Sequence, residues 1–285
     1  MITGPPLAEG VTYVSVLQGR ANATKMVTMS SRVLDRTARN SQVDWSKLDA
    51  VAYAAKNYRT LRDDDQEVIR RAATFFAAAA ARAGSEATAR WQAVDVGTGS
   101  NLYPAFAMLP FAKSVHLLEY SRTSVSWLRR QRERGFDPMW DTFLDEFRNT
   151  VEYKSHFEQC DARAEFRKKA KIQRVSVFKL KKANWDLGTM FFSACSLSTS
   201  TDEFVLAVRK FVEALRPGAP FVAAFMLNSG GYQVGDHWFP AVVIREADVA
   251  AALSGIATRV DVQAIDTTTP MRPGVGMALA TGYAG

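Results

Sequence analysis

A chain of 285 residues that is 47% apolar can bury one large α/β core, and its net charge of +7 is too modest for that length to mark a nucleic-acid binder. Two cysteines (Cys160, Cys195) and three scattered histidines (His116, His156, His237) give no disulfide framework and no metal-ligand spacing, so no metal site is expected. No apolar run approaches the roughly 18 residues of a membrane span, and the opening "MITGPPLAEG" lacks the basic start and apolar middle of a secretory signal, so a cytoplasmic protein without a membrane partner is expected.

In chain order, residues 1–44 are polar and weakly periodic and read as a flexible N-terminal arm, with a short helix near Ser30–Ala38. Residues 45–88 read as a helical cap. "SKLDAVAYAAKNYRTL" carries apolar positions at Leu48, Val51, Ala52, Ala55 and Tyr58, and "DDDQEVIRRAATFFAAAAARAG" follows. That second helix has three aspartates in its first turn, where the dipole favours negative charge, and Gly84 as its stop.

From residue 89 to 285 strands alternate with helices. "WQAVDVG", "SVHLLEY", "WDLGTMFFSA" and "APFVAAFML" are short and almost continuously apolar, as parallel strands covered on both faces must be. "STSTDEFVLAVRKFVEALRPG" is the clearest helix, with a capping box at Ser200 and Glu203 and Pro217-Gly218 as its end. "ATRVDVQAI" and "VGMALATG" supply two further strands. The expected fold is α/β, a Rossmann-like doubly wound sheet of seven mostly parallel strands beneath the cap.

"VDVGTGSNLYPAF" runs strand, Asp95, Gly97, Gly99, helix. Two missing side chains let backbone approach a ligand, while Leu102 in place of the third glycine of a dinucleotide fingerprint argues against a pyrophosphate. Glu119, about twenty residues on and ending the next strand, can accept from both hydroxyls of a ribose. An adenosine-containing ligand at the carboxyl ends of the first two strands is the expectation.

Four stretches in order, "YAAKNY" from Tyr53, "DVGTGSNLY" from Asp95, "LRPGAPFVAAFML" from Leu215 and "SGGYQVGDHWFPAVVIREADV" from Ser229, carry a further likeness. The chain resembles the class I S-adenosylmethionine-dependent methyltransferases of the nicotinamide, phenylethanolamine and indolethylamine N-methyltransferase family, from about Trp45 to the C-terminus. The resemblance implies S-adenosyl-L-methionine as cofactor. It places Tyr53 and Tyr58 over the methionine end, with Thr98 near the carboxylate; Asp95, Gly97, Gly99 and Tyr103 in the cofactor loop; and Glu119 on the ribose. Tyr120, Ser124, Val177 and Phe178 would lie around the adenine, although Ser124 stands for the family's asparagine and Ser176-Val177 for its Asp-Val pair. On the acceptor side it places Phe225, where the nicotinamide enzyme has a carboxylate, and Tyr232 and Phe239. An apolar Phe225 argues against nicotinamide and for an apolar or aromatic acceptor.

Methyl transfer from a sulfonium needs positioning more than acid–base help, and an amine lone pair needs no base. Tyr53 and His237 are the candidate catalytic groups, with Asp236 beside the latter. The acceptor atom stays open among N, O and C, and a nicotinamide-dependent oxidoreductase or a non-catalytic cofactor- or RNA-binding protein are the competing classes. The basic stretch Arg163–Lys182 reads as a solvated face without the aromatic interleaving of an RNA site, so a small molecule rather than nucleic acid is the expected partner.

Overall fold

The computed structural model describes residues 37–267 and 274–285. The expected arm up to Arg36, with most of its short helix, lies outside them. The compact unit begins at Thr37, so the end of that arm is built into it. Ala38 N–H donates to Thr199 Oγ1 at 2.9 Å, and Thr199 N–H returns a bond to the Ala38 carbonyl at 3.0 Å.

The cap is helix α1 (Ala50–Tyr58), α2 (Asp63–Ala83) and the short α3 (Ser85–Thr88). Asp49 starts α1 by accepting from Val51 and Ala52 N–H, both at 2.9 Å. Gly84 at φ +82° stops α2 in backbone space that a side chain would resist. The α/β unit follows as β1 (Gln92–Val96), α4 (Tyr103–Met108), β2 (Ser114–Glu119) and α5 (Arg122–Arg134). Three helices then intervene that the sequence reading did not separate: α6 (Asp141–Phe147), α7 (Val151–Gln159) and α8 (Ala162–Lys169). The chain resumes with β3 (Ala170–Arg174), β4 (Leu187–Phe191), α9 (Thr201–Ala214) and β5 (Pro220–Leu227). A hairpin of β6 (Gly231–Val234) and β7 (His237–Pro240), helix α10 (Glu246–Leu253), β8 (Ala257–Ile265) and β9 (Gly276–Ala284) complete it.

The seven-stranded sheet has the order β3-β2-β1-β4-β5-β9-β8, with β3 to β5 parallel and β9 antiparallel to both its neighbours. β4 and β5 are buried along their whole length, which is why they read as continuous apolar runs. Strand order reverses direction between β1 and β4, and the crevice at their carboxyl ends is where open α/β sheets take ligands. The basic stretch becomes α8, β3 and the turn after it; its cations are partly paired, Arg163 with Asp141 and Lys182 with Glu213.

The capping box of α9 is half made. Ser200 Oγ accepts from Glu203 N–H at 3.4 Å, but the Glu203 carboxylate turns away to accept from Asn40 N–H at 2.9 Å. The capping acid thus ties down the segment that enters the cap. Among the described residues no helix is long and apolar enough to cross a membrane.

Candidate functional site

A cavity opens at the carboxyl ends of β1, β2 and β4, with an empty volume of about 840 Å³, its mouth included. Its floor is the loop after β1, where Gly97 and Gly99 both hold left-handed backbone, at φ +70° and +59°. The two glycines serve different ends. A Cβ on Gly97 would lie 2.0 Å from Ser193 Oγ, whereas one on Gly99 would meet only the Gly97 carbonyl oxygen, at 3.8 Å. Both glycines line the cavity, but a side chain at Gly97 would run into Ser193, whereas one at Gly99 would stand in open space.

Thr98, Ser100 and Asn101 continue the floor. Ser100 Oγ and Asn101 Nδ2 are buried without a hydrogen-bond partner. Buried polar atoms are paired in all but exceptional cases, so these two fit a polar ligand seated on the loop. Glu119, ending β2, faces the same space. Its carboxylate accepts from Gly99 N–H at 2.8 Å and from Tyr120 and Ser121 N–H, both at 2.6 Å. Burial pushes its pKa up, and the three backbone donors oppose that shift. Tyr120 and Val177 also line the cavity, with an Arg174 guanidinium 5.0 Å over the Tyr120 ring.

Asp95 lies beneath this floor, not in it. It is 1% exposed, accepts from Thr189 Oγ1 at 2.8 Å and so braces β1 against β4. Burial raises its pKa to about 7. Ser124 is fully buried behind Ser121, whose Oγ accepts its N–H at 3.5 Å, and Phe178 packs on the main core beside Val177. Neither lines the cavity.

The opposite wall is aromatic. Tyr53 and Tyr58 on α1 pack against each other, with ring centroids 6.2 Å apart and planes tilted by 57°. Burial holds the Tyr58 phenol well above its ordinary pKa, so it is neutral. Tyr103 stands behind this pair and not in the cavity: fully buried, it stacks on Phe143 at 5.7 Å and donates to Asp65 Oδ1 at 3.0 Å. Asp65 in turn pairs with Arg62 at 2.8 Å, and burial raises its pKa to about 7 against that pull.

Tyr232 of the hairpin lines the cavity and stacks on Phe239 at 5.6 Å. Phe239 is buried behind it, sandwiched by Trp45 at 5.7 Å. Phe225 is 0% exposed in mid-sheet against the edge of Phe204, outside the cavity. A residue in the middle of a strand covered on both faces has no route to the crevice. His237 and Asp236 are exposed on the hairpin turn.

Several lining residues escaped the sequence reading. Trp45 and Leu48 come from the segment before α1, and Trp45 Nε1–H donates to Asn40 Oδ1 at 3.0 Å, another lining residue. Phe191, Phe192, Ser193, Ser196 and Leu197 come from the end of β4 and the turn after it. Phe192 holds φ +56°, a strained value for an aromatic residue. The signal for the β4 group was available: residues just past a strand at the reversal point of the sheet line its crevice. Among the described residues that line the cavity, Glu119 is the only carboxylate and there is no lysine, arginine or histidine.

A model of the NNMT/PNMT/TEMT family matches residues 37–281. No curated protein matches the chain. Among solved structures, the [4+2]-cyclase SpnF superposes with a TM-score of 0.54 at 13% identity, covering 87% of this chain and 97% of that one. N-methyltransferase NodS from Bradyrhizobium japonicum WM9, in complex with S-adenosyl-L-homocysteine, gives 0.46 at 11% identity over 83% of this chain and 99% of that one. The 1,6-didemethyltoxoflavin-N1-methyltransferase of Burkholderia thailandensis gives 0.42 at 14% identity over 96% and 93%. At 13% identity the likeness to SpnF is one of fold.

Proposed function

The chain belongs to the NNMT/PNMT/TEMT family of S-adenosylmethionine-dependent methyltransferases, and we propose that it methylates a small, largely apolar or aromatic molecule at a nitrogen atom. The observation that carries this reading is the composition of the cavity wall. Trp45, Tyr53, Tyr58, Phe191, Phe192 and Tyr232 surround the space beyond the loop, with no cationic side chain and no second carboxylate among the described residues that line it.

S-adenosylmethionine, when bound, supplies a methyl group already activated on a sulfonium. The residues that would hold it are those of the floor. Glu119 offers a carboxylate to a ribose, the open side of Gly99 admits a close neighbour, and Ser100 and Asn101 offer their unpaired polar atoms to the ligand. What remains for the protein is to position the acceptor and exclude water, which can lower a barrier by several kcal/mol without any proton transfer.

The wall supports that division. Tyr58 is a neutral phenol and serves as a donor, not a base. The stack of Trp45, Phe239 and Tyr232 closes the acceptor side with apolar surface. His237 and Asp236, the base candidates for a hydroxyl acceptor, are exposed on the hairpin turn, outside the lining. A nucleophile that carries its own lone pair is therefore favoured over one that must lose a proton first.

The test is a methyl-transfer screen with labelled S-adenosylmethionine against apolar and aromatic amines, matched phenols and charged amino acids. Turnover of the amines with little of the phenols supports the reading. Preference for phenols, or for anionic acceptors, would overturn it.

A further inference from the structure

Outside the cavity, one cluster of side chains has a composition that packing does not require. At the corner between α7 and α8, His156 Nε2 and Cys160 Sγ both lie on the same oxygen of Glu165, Oε2, at 2.8 and 3.2 Å. The three donor atoms all fall within 4.8 Å of one another, and all three residues are partly buried. We propose that His156, Cys160 and Glu165 form a binding site for a thiophilic divalent transition metal, zinc in the first instance, with one coordination position left to water.

Three features support it. The first is donor type: a thiol, an imidazole and a carboxylate are the ligands zinc takes, and a calcium or magnesium site would be built from oxygens. The second is spacing in space. With zinc bonds of about 2.0–2.3 Å, tetrahedral neighbours lie about 3.4 Å apart for nitrogen and oxygen and about 3.6 Å for oxygen and sulfur. The observed 2.8 and 3.2 Å separations need only a small expansion, of the kind expected when a shared proton gives way to a larger ion.

The third feature is an outer partner. Lys169, one turn on from Glu165 along α8, donates to the other carboxylate oxygen, Oε1, at 2.6 Å, and to the Leu109 carbonyl at 2.7 Å. It thereby fixes the carboxylate with Oε2 turned toward the histidine and the cysteine, as partners of metal ligands commonly do. The local fold explains the convergence. Cys160 and Asp161 are the two residues between the helices, and Asp161 caps α8 by accepting from Arg163 N–H at 2.8 Å. The chain turns sharply there, and positions 156, 160 and 165 meet although they are four and five residues apart. A reading of cysteine and histidine spacing alone misses such a set, because its third member is a glutamate beyond a helix break.

On binding, the thiol proton of Cys160 passes to solvent and the imidazole binds in its neutral form. No oxidation state changes. Thiolate and carboxylate together neutralise the ion, leaving the Lys169 charge outside the site. None of the three ligands lines the cavity, so the site is separate from methyl transfer.

The experiment is titration of the reduced full-length chain with cobalt(II) as a spectroscopic probe, followed by competition with zinc. The expected result is one equivalent of cobalt bound with a near-ultraviolet thiolate charge-transfer band, displaced by zinc. Cys160→Ser should remove the band, and His156→Ala, which deletes a ligand, should weaken binding by more than the roughly tenfold that loss of an outer partner costs. Both variants should keep S-adenosylhomocysteine affinity, which certifies the fold. Absence of the band in the wild type, or its survival in Cys160→Ser, would overturn the proposal; in the second case Cys195 would be the ligand.

Discussion

The two walls of the cavity are built in different ways. The floor, Gly97 to Asn101 with Glu119, is continuous with the central strands and rests on the main core. Gly97 N–H is bonded to the Leu118 carbonyl at 2.7 Å, and Glu119 is tied by three backbone N–H groups. The facing wall, from Trp45 and Leu48 to Tyr232, packs instead on a separate small cluster of Leu48, Val234 and Phe239. It is held by ring stacking and a few bonds, including Asn40 to Glu203 and Lys56 Nζ to the Gln233 carbonyl at 2.9 Å. A pre-formed floor suits a ligand common to all members of a family, and a lightly held wall suits one that varies and must enter and leave.

The largest expected effect tests what lies behind each wall, Asp95 beneath the floor and Asp65 behind the Tyr53–Tyr58 pair. Asp65 and Asp95 are both buried with pKa values raised to about 7. For an acid raised in the folded state, that state binds more protons than the unfolded chain between the two pKa values. Stability must then fall as pH rises from about 4 to 7, by up to about 4 kcal/mol for each group. His116, lowered by burial, works in the opposite sense near its ordinary value. Urea melts of the ligand-free chain at pH 5 and 7.5 read the slope, and Asp95→Asn should about halve it, because Asp65 keeps its own share. Equal stability at both pH values would show that these carboxylates are not strained by burial.

The loop glycines sharpen the comparison next. Gly97→Ala forces a Cβ to within 2.0 Å of Ser193 Oγ in left-handed backbone and should cost about 3 kcal/mol of stability. Gly99→Ala bears only the backbone penalty, about 1 kcal/mol, so any larger loss of S-adenosylhomocysteine affinity reports the ligand. Equal destabilisation by the two would contradict their separate roles. Glu119→Gln replaces one accepting oxygen with a donor among three N–H groups, and should weaken S-adenosylhomocysteine about thirtyfold by calorimetry, or about 2 kcal/mol. Unchanged affinity would remove Glu119 from the cofactor site.

What the sequence made legible follows the same division. The central strands announce themselves because β4 and β5 are buried on both faces, so their apolar runs have no competing explanation. Helix ends were equally plain at Gly84 and Ser200, where backbone conformation or a side-chain cap leaves a chemical mark. Individual side chains were harder. Tyr103, Ser124, Phe225 and Phe239 sit on the right elements but face the core, since a motif fixes the element while neighbouring volume decides which way a ring turns. Trp45 and Asn40 belong to a segment with short 3-10 turns and no periodicity, so nothing local marks them as lining. The helices α6 to α8 are not separable in the sequence because, at seven to nine residues each, they are too short to show a clear helical period.

The smallest expected effect bears on the lightly held wall. Trp45 contributes one ring to the stack on Phe239, an interaction of about 1 kcal/mol. Trp45→Ala should therefore raise the acceptor KM about fivefold, while S-adenosylhomocysteine affinity stays within about twofold. Steady-state kinetics with the best amine from the screen, together with calorimetry on the same preparation, separate the two numbers. If cofactor affinity falls as far as acceptor affinity, the segment before α1 belongs to the floor after all. The cavity would then have one wall that holds both ligands, and the ring stack would act on the cofactor as much as on the acceptor.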